Sequence, residues 1–322
     1  MFLISTGNGV LDGLLFILLA ALIIGLIIYL ITFVMAIPVY KASFVRPKEF
    51  IKGKKSRKWA PYKEIIENNW KEIDELEKED VFINGYKNKR IHGTFIKSKT
   101  GSKKVILFSH GWKNTGLNDY ACAGMYYHKL GYNVLVIDHF GHGESSGKHI
   151  TFGFFDRHNI KKWVDFINDR FNNDCKIFMH GLSMGSSIVT WSCADELNNV
   201  CGIIADSGFC EGYELAKHIV RKQIKFFPDL VLFNARVICR IFARFDIKKC
   251  NTSDALNKSK YPILFMHGDK DDFVPTKHSI ISYDKCTGRK EIVIFDDSEH
   301  IISCLRHPEK YQEVVIKFIE KY

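Results

Sequence analysis

Gly181-Leu182-Ser183-Met184-Gly185 joins a strand-like run, Cys175 to His180, to a helix-like run, Ser186 to Leu197. Few backbone paths carry a serine directly from a buried strand into a helix. A sharp turn that lifts the hydroxyl above a sheet is one of them. Its flanking glycines are needed where the turn leaves no room for side chains. Ser183 is therefore the candidate nucleophile. The same pentapeptide pattern recurs at Gly143-Glu144-Ser145-Ser146-Gly147, but no helical pattern starts directly after it. Context separates the two copies, and the second reads as a structural turn.

Around the first copy, strands and helices alternate. Val105–Phe108, Val134–Ile137, Lys176–Met179, Gly202–Ala205, Ile263–Met266 and Ile292–Phe295 are short apolar strand candidates. Helical stretches near Tyr120–Leu130, Phe154–Phe171 and Glu309–Lys321 separate or close them. This pattern predicts an α/β fold whose mostly parallel central sheet is covered on both faces. Val81–Ile83 and Arg90–Ile96 precede it as a hairpin, with Asn84-Gly85 at the turn. Trp59 to Asp80 carries a helical stripe, Ile66, Trp70 and Ile73, expected to dock on the domain. Gly212 to Phe245 interrupts the alternation as a long helical insertion. It reads either as ordinary amphipathic helices or as a lid over the site that also leans on a bilayer.

Leu14 to Ile37 is a run of 24 residues without a charge, 17 of them Leu, Ile, Val or Phe. As a helix it is long enough to cross a hydrocarbon core. At about 0.3–0.6 kcal/mol per apolar residue, insertion is favoured by roughly 5–10 kcal/mol. No Lys or Arg precedes the run and its core is long, which favours a retained anchor over a cleaved signal. Lys41 to Lys63 holds nine Lys/Arg and one acid. The positive-inside rule then places the C-terminal domain on the cytoplasmic side of a single-pass anchor. Basic residues beside an anchor can also hold anionic headgroups. The formal charge is +10. Subtracting the basic flank leaves the rest nearly neutral, so no basic face for nucleic acid is expected. Nine cysteines, an odd number without metal-type spacing, read as buried thiols of a reducing compartment. The expected organisation is residues 1–40 as tail and anchor and 41–80 as basic segment and linker helix. Residues 81–322 form the catalytic domain, with an insertion at about 210–258.

A serine hydroxyl needs a base within hydrogen-bond reach, and the base needs an acid that fixes its tautomer. His300 lies in the loop after the last strand candidate. Asp269, Asp271 and Asp272 lie in the loop after the preceding one. Loops at the carboxyl ends of parallel strands meet in one crevice. His307 precedes Pro308 and so sits near a helix start. His180 and His267 directly follow strands and read as structural hydrogen-bonding groups. The oxyanion is expected to be held by the backbone N–H groups of Met184 and Trp112, the latter in His110-Gly111-Trp112. Asp138-His139-Phe140-Gly141-His142-Gly143-Glu144-Ser145 lacks the Gly-Lys-Ser/Thr of a nucleotide loop and reads as a tight turn at the rim.

These motifs, in this order, resemble the α/β-hydrolase superfamily over roughly Val81 to Tyr322. They are His110-Gly111, Gly141 to Ser145, Gly181 to Gly185, the His-Gly-x-x-Asp-x-x-Val-Pro pattern at His267 to Pro275, and His300. The resemblance is to serine hydrolases near monoacylglycerol lipases and serine aminopeptidases, and to membrane-anchored Bem46-like hydrolases. It implies the α/β-hydrolase fold, with Ser183 as nucleophile, Asp271 as acid and His300 as base. One departure is His139-Phe140, where many relatives carry an arginine. The implied activity is cleavage of an ester or thioester of a lipid-like acyl chain through an acyl-enzyme. Amide hydrolysis and a non-catalytic scaffold are the alternatives, and no metal or organic cofactor is required by such chemistry.

Overall fold

The computed structural model describes residues 6–50 and 57–322. The basic positions Lys52, Lys54 and Lys55 lie outside the described residues. Eight strands follow in chain order: β1 (Lys78–Asn84), β2 (Arg90–Ile96), β3 (Lys104–Ser109) and β4 (Asn133–Ile137), then β5 (Lys176–Leu182), β6 (Val200–Asp206), β7 (Ile263–Gly268) and β8 (Lys290–Phe295). They form one sheet in the order β1-β2-β4-β3-β5-β6-β7-β8. The β1–β2 and β2–β4 pairs are antiparallel; β4-β3-β5-β6-β7-β8 is parallel throughout. From β2 to β7 nearly every strand residue is buried, as expected of a sheet covered on both faces.

Alternate strand residues feed two cores. On one face Val105, Leu107, Ile177 and Met179 pack with Trp163 and Ile167 of the helix Arg157–Arg170. On the other, Ile106, Phe108 and Phe178 pack with Tyr120 and with Phe318 of the closing helix Pro308–Lys321. The linker helix Lys63–Glu75 lays Ile66 and Ile73 into this second core, and Asn69 donates to Ala121 O at 2.8 Å. Several element boundaries differ from expectation. The helix after β4 starts at Arg157 rather than Phe154, because Thr151 and Asp156 close a turn through a 3.0 Å hydrogen bond. The helix after the Ser183 turn ends at Trp191, where a short 3₁₀ turn, Ser192–Ala194, replaces it.

The apolar run is part of one helix, Gly9–Phe44, which continues through Pro38. Its 36 residues span about 54 Å, well beyond a hydrocarbon core of about 30 Å. The large apolar residues from Val10 to Ile31 are exposed, apart from the half-buried Ile28. From there a stripe of four-residue spacing, Thr32, Ala36, Tyr40 and Phe44, is buried. It packs against Val231, Ala235, Ile238 and Cys239 of the helix Pro228–Phe242. The helix is thus long and apolar enough to cross a membrane, and its last turns belong to the folded domain. Arg46 differs from its place in a solvated basic flank. It turns inward and donates to Ser145 O (2.6 Å) and Gly143 O.

Candidate active site

The registers align the carboxyl ends of the central strands: Ser109 pairs with Gly181, Leu182 with Asp206, and Gly268 with Phe295. The loops that follow these ends converge above β3 and β5, which lead away from each other in chain order. Ser183 comes directly after β5 with φ 54° and ψ −116°. Such a conformation costs a non-glycine residue about 1–3 kcal/mol and persists only where the surroundings enforce it. Ser183 N–H donates to Asp206 O at 2.8 Å, and the helix Met184–Trp191 begins at once. A Cβ on Gly181 would stand 2.4 Å from Gly185 O, and one on Gly185 only 2.1 Å from Ser109 O. Gly185→Ala is therefore expected to destabilise the fold by about 3 kcal/mol or more through overpacking against rigid backbone. Urea unfolding checks this, and a midpoint equal to wild type would contradict it.

The structure brings Ser183, His300 and Asp271 together. His300 Nε2 lies 2.9 Å from Ser183 Oγ, and His300 Nδ1 lies 2.6 Å from Asp271 Oδ2. All three residues are buried. A carboxylate can only accept, so the proton sits on Nδ1 and the Nε2 lone pair faces the hydroxyl. Asp271 is held from both sides. Its Oδ1 accepts the N–H groups of Phe273 (3.0 Å) and Val274 (2.8 Å), and His267 Nε2 donates to Oδ2 at 3.0 Å. Burial alone would raise the Asp271 pKa, but the charge and hydrogen bonds of His300 and His267 carry it below the usual carboxylate range.

The neighbouring candidates point elsewhere. Asp269 accepts the Ser298 N–H at 3.2 Å, and Asp272 reaches out to Lys222 at 2.6 Å. His307 lies by Asp296 O at 2.8 Å. His180 contacts the hydroxyls of Tyr127 (2.8 Å) and Tyr311 (3.2 Å), and burial lowers its pKa to about 3. The expected oxyanion donors flank the serine. Met184 is the first residue of its helix. The His110-Gly111-Trp112 loop lies against Ser183, since a Cβ on Gly111 would stand 3.3 Å from Ser183 Cβ. No backbone carbonyl among the described residues takes either the Met184 or the Trp112 N–H. Asp119 holds this loop by accepting Gly111 N–H at 2.7 Å. Nothing in its spacing distinguishes Asp119, which lies on the helix Gly116–Ala123 and meets Gly111 only through the fold.

The rim loop after β4 is a buried polar lattice. Ser145 Oγ donates to Asp138 O at 2.6 Å and accepts His92 N–H at 2.9 Å. Asp138 lies 2.8 Å from His92 Nδ1 and accepts Gly116 N–H at 2.8 Å. Burial would raise the Asp138 pKa; the hydrogen bonds and neighbouring His92 and His110 instead lower it to about 2. A carboxyl whose folded pKa lies below its unfolded value stabilises the fold above the unfolded pKa and loses that contribution as pH falls through the folded one. Roughly 2 kcal/mol of stability from Asp138 is therefore expected to disappear between about pH 4 and pH 2. In acid-unfolding titrations Asp138→Asn should be less stable at neutral pH and show a shallower loss over that window. An unchanged slope would contradict the assignment.

An apolar cavity of about 880 Å³, counting its mouth, opens at Ser183. Trp112, Phe152, Phe209 and Phe273 wall its inner end. Leu215 and Ile219 of the helix Gly212–Gln223 and Leu232 and Ala235 of Pro228–Phe242 roof it. Its remaining wall is Val39, Ala42, Ser43 and Phe44, the last turns of the apolar helix. Trp112 Nε1 donates to Ser43 O at 2.9 Å, tying that helix to the loop beside Ser183. None of the residues that line the cavity is an acid. No cluster of three or more His, Cys, Asp or Glu residues suited to a metal ion occurs among the described residues.

The family described as serine aminopeptidase, S33, matches residues 100–249. YqkD of Bacillus subtilis is 26% identical over 217 residues, 67% of this chain and 71% of that protein. The bem46 protein of Schizosaccharomyces pombe is 21% identical, covering 87% of this chain and 86% of its own length. Among solved structures, the Pyrococcus furiosus esterase Pf2001 superimposes with a TM-score of 0.64 at 22% identity. That match covers 87% of this chain and 98% of the esterase.

Proposed function

The chain is a member of the α/β-hydrolase superfamily and a hydrolase of that type, and from that premise we propose a membrane-anchored serine hydrolase that cleaves esters or thioesters of lipid-like acyl chains. The observation that carries this reading is the hydrogen-bonded series Ser183–His300–Asp271 at the floor of an apolar cavity. In the proposed reaction Ser183 Oγ attacks the acyl carbonyl while His300 Nε2 takes its proton. Asp271 stays ionised and stabilises the imidazolium. The Met184 and Trp112 N–H groups hold the oxyanion. His300 returns the proton to the departing alcohol or thiol as the acyl–oxygen or acyl–sulfur bond breaks. Water then gives a proton to His300 and attacks the acyl-enzyme. Ser183 leaves with that proton and the fatty acid is released.

Amide hydrolysis by the same groups is the second reading, suggested by the aminopeptidase family match. An aminopeptidase has to hold the substrate's α-ammonium, and a cavity lined without carboxylates offers no ionic partner for it. The lining therefore favours an acyl chain. In this reading the helix Gly9–Phe44 is the anchor, and the basic residues after it support a catalytic domain on the cytoplasmic side. The full chain in detergent, assayed on p-nitrophenyl esters of graded acyl length and on aminoacyl p-nitroanilides, tests the reading. Ester cleavage that favours longer acyl groups is expected. Preferential cleavage of the aminoacyl amides would overturn it.

A further inference from the structure

The wall that the helix Gly9–Phe44 gives to the Ser183 cavity has a direction. At its inner end Phe44 packs edge-on against Phe152, with ring centroids 5.5 Å apart. Ser43 O takes the Trp112 indole N–H at 2.9 Å. Trp112 in turn stacks on Phe273, whose ring lies 5.1 Å from that of His300. Ser43 and Phe44 therefore stand beside the Ser183–His300 pair. Val39 lies about one turn back, some 6 Å along the helix axis from Ser43, and Ala42 shares its face. Both also line the cavity. Phe44 is buried, whereas Val39 is half-buried and Ala42 exposed, so these two stand toward the mouth.

The facing wall runs the same way. Leu215, Ile219 and Gln223 line the cavity at four-residue spacing on the helix Gly212–Gln223. They span about 12 Å, from the buried Leu215 to the exposed Gln223. No charged side chain lines the slot between the two walls. The anchor helix is also fixed on both sides of Val39. Trp112 holds Ser43 at the inner end. Seven residues before Val39, Thr32 Oγ1 accepts the buried Asn234 Nδ2 at 3.1 Å. Val39 and Ala42 thus stand at a set place along the path from Ser183 to solvent. Valine and alanine leave the slot open there, where a large side chain would fill it.

We propose that Val39 and Ala42, on the helix that also serves as anchor, are specificity-determining residues that set the acyl length this hydrolase prefers. An acyl chain with its carbonyl at Ser183 passes from the aromatic inner end over these two residues. Each methylene up to them gains burial, and each one beyond them reaches solvent. Burying one methylene is worth roughly fourfold in kcat/KM. The wild-type enzyme should therefore climb with acyl length and then level off. This inference rests on the esterase reading above and specifies which part of the chain measures the substrate.

The test uses the full chain in detergent and p-nitrophenyl esters from acetate to laurate. Val39→Trp and Ala42→Trp are each expected to bring the plateau to a shorter chain. Each should lower the ratio of kcat/KM for decanoate to that for butyrate about tenfold or more, the scale of two or more methylenes. Thermal unfolding checks that each variant is folded. Should Val39→Trp fail to fold, Ala42→Trp, at an exposed position, carries the test. Val34→Trp is the control: Val34 is 64% exposed, lies eight residues before Ala42 and does not line the cavity. It should keep the wild-type profile. An unchanged ratio in the folded cavity variants, an equal loss on both esters in them, or the same shift from Val34→Trp would overturn the inference. A wild type that cleaves none of the esters would instead sink the esterase reading.

Discussion

Ser183→Ala is expected to lower kcat for ester hydrolysis by about 10⁴- to 10⁶-fold, the scale on which loss of an activated serine acts in serine hydrolases. The reason is local. Ser183 carries the hydroxyl that lies 2.9 Å from His300 Nε2, and alanine leaves the base with nothing to activate but water. Fold stability should change little or rise slightly, because the backbone holds the turn. Ser183 N–H is bonded to Asp206 O and its carbonyl accepts Ser187 N–H. Stopped assays with p-nitrophenyl butyrate check the rate, and thermal unfolding checks the fold. A variant that retains a tenth of wild-type activity would remove Ser183 from the proposed chemistry.

Asp271→Asn is expected to cost about 10⁴-fold in kcat with little change in KM, through the wrong histidine tautomer. The direction follows from the donors around it. Phe273 and Val274 N–H groups point at Oδ1, so an asparagine places its carbonyl oxygen there. Its amide then occupies the Oδ2 position and offers a hydrogen to His300 Nδ1. That moves the imidazole proton to Nε2, the nitrogen that faces Ser183. The base arrives already protonated. His267 Nε2 would face the same amide donor, so a modest loss of stability is also expected. Steady-state kinetics across pH measure the effect, and a loss smaller than tenfold would contradict the role proposed for Asp271.

Local chemistry made much of this legible in the sequence. The elbow is written as glycines at the two places where backbone closes on backbone, and the buried strands as continuous apolar runs. His300 and Ser183 follow from their places after strands. Choosing Asp271 over Asp269 and Asp272 needed the family spacing, because three carboxylates within four residues differ only in where the turn aims them. What stayed hidden depends on contacts between distant segments. The expected anchor ends at residue 40, where the basic segment begins. Packing of Tyr40 and Phe44 against Cys239 and Phe245 instead carries it to Phe44 and into the cavity wall. Arg46 reads as a solvated charge until the rim loop brings the Gly143 and Ser145 carbonyls to it. Asp119 gains its role only when Gly111 approaches it.

The catalytic use of Ser183 is tested most directly by mapping covalent modification. The folded full chain, treated with a fluorophosphonate and digested, should carry the phosphonyl group on the peptide containing Ser183. The His300→Ala variant, folded but without its base, should react far more slowly. Modification of a different residue, or a properly folded wild-type chain that takes up no label, would contradict the account.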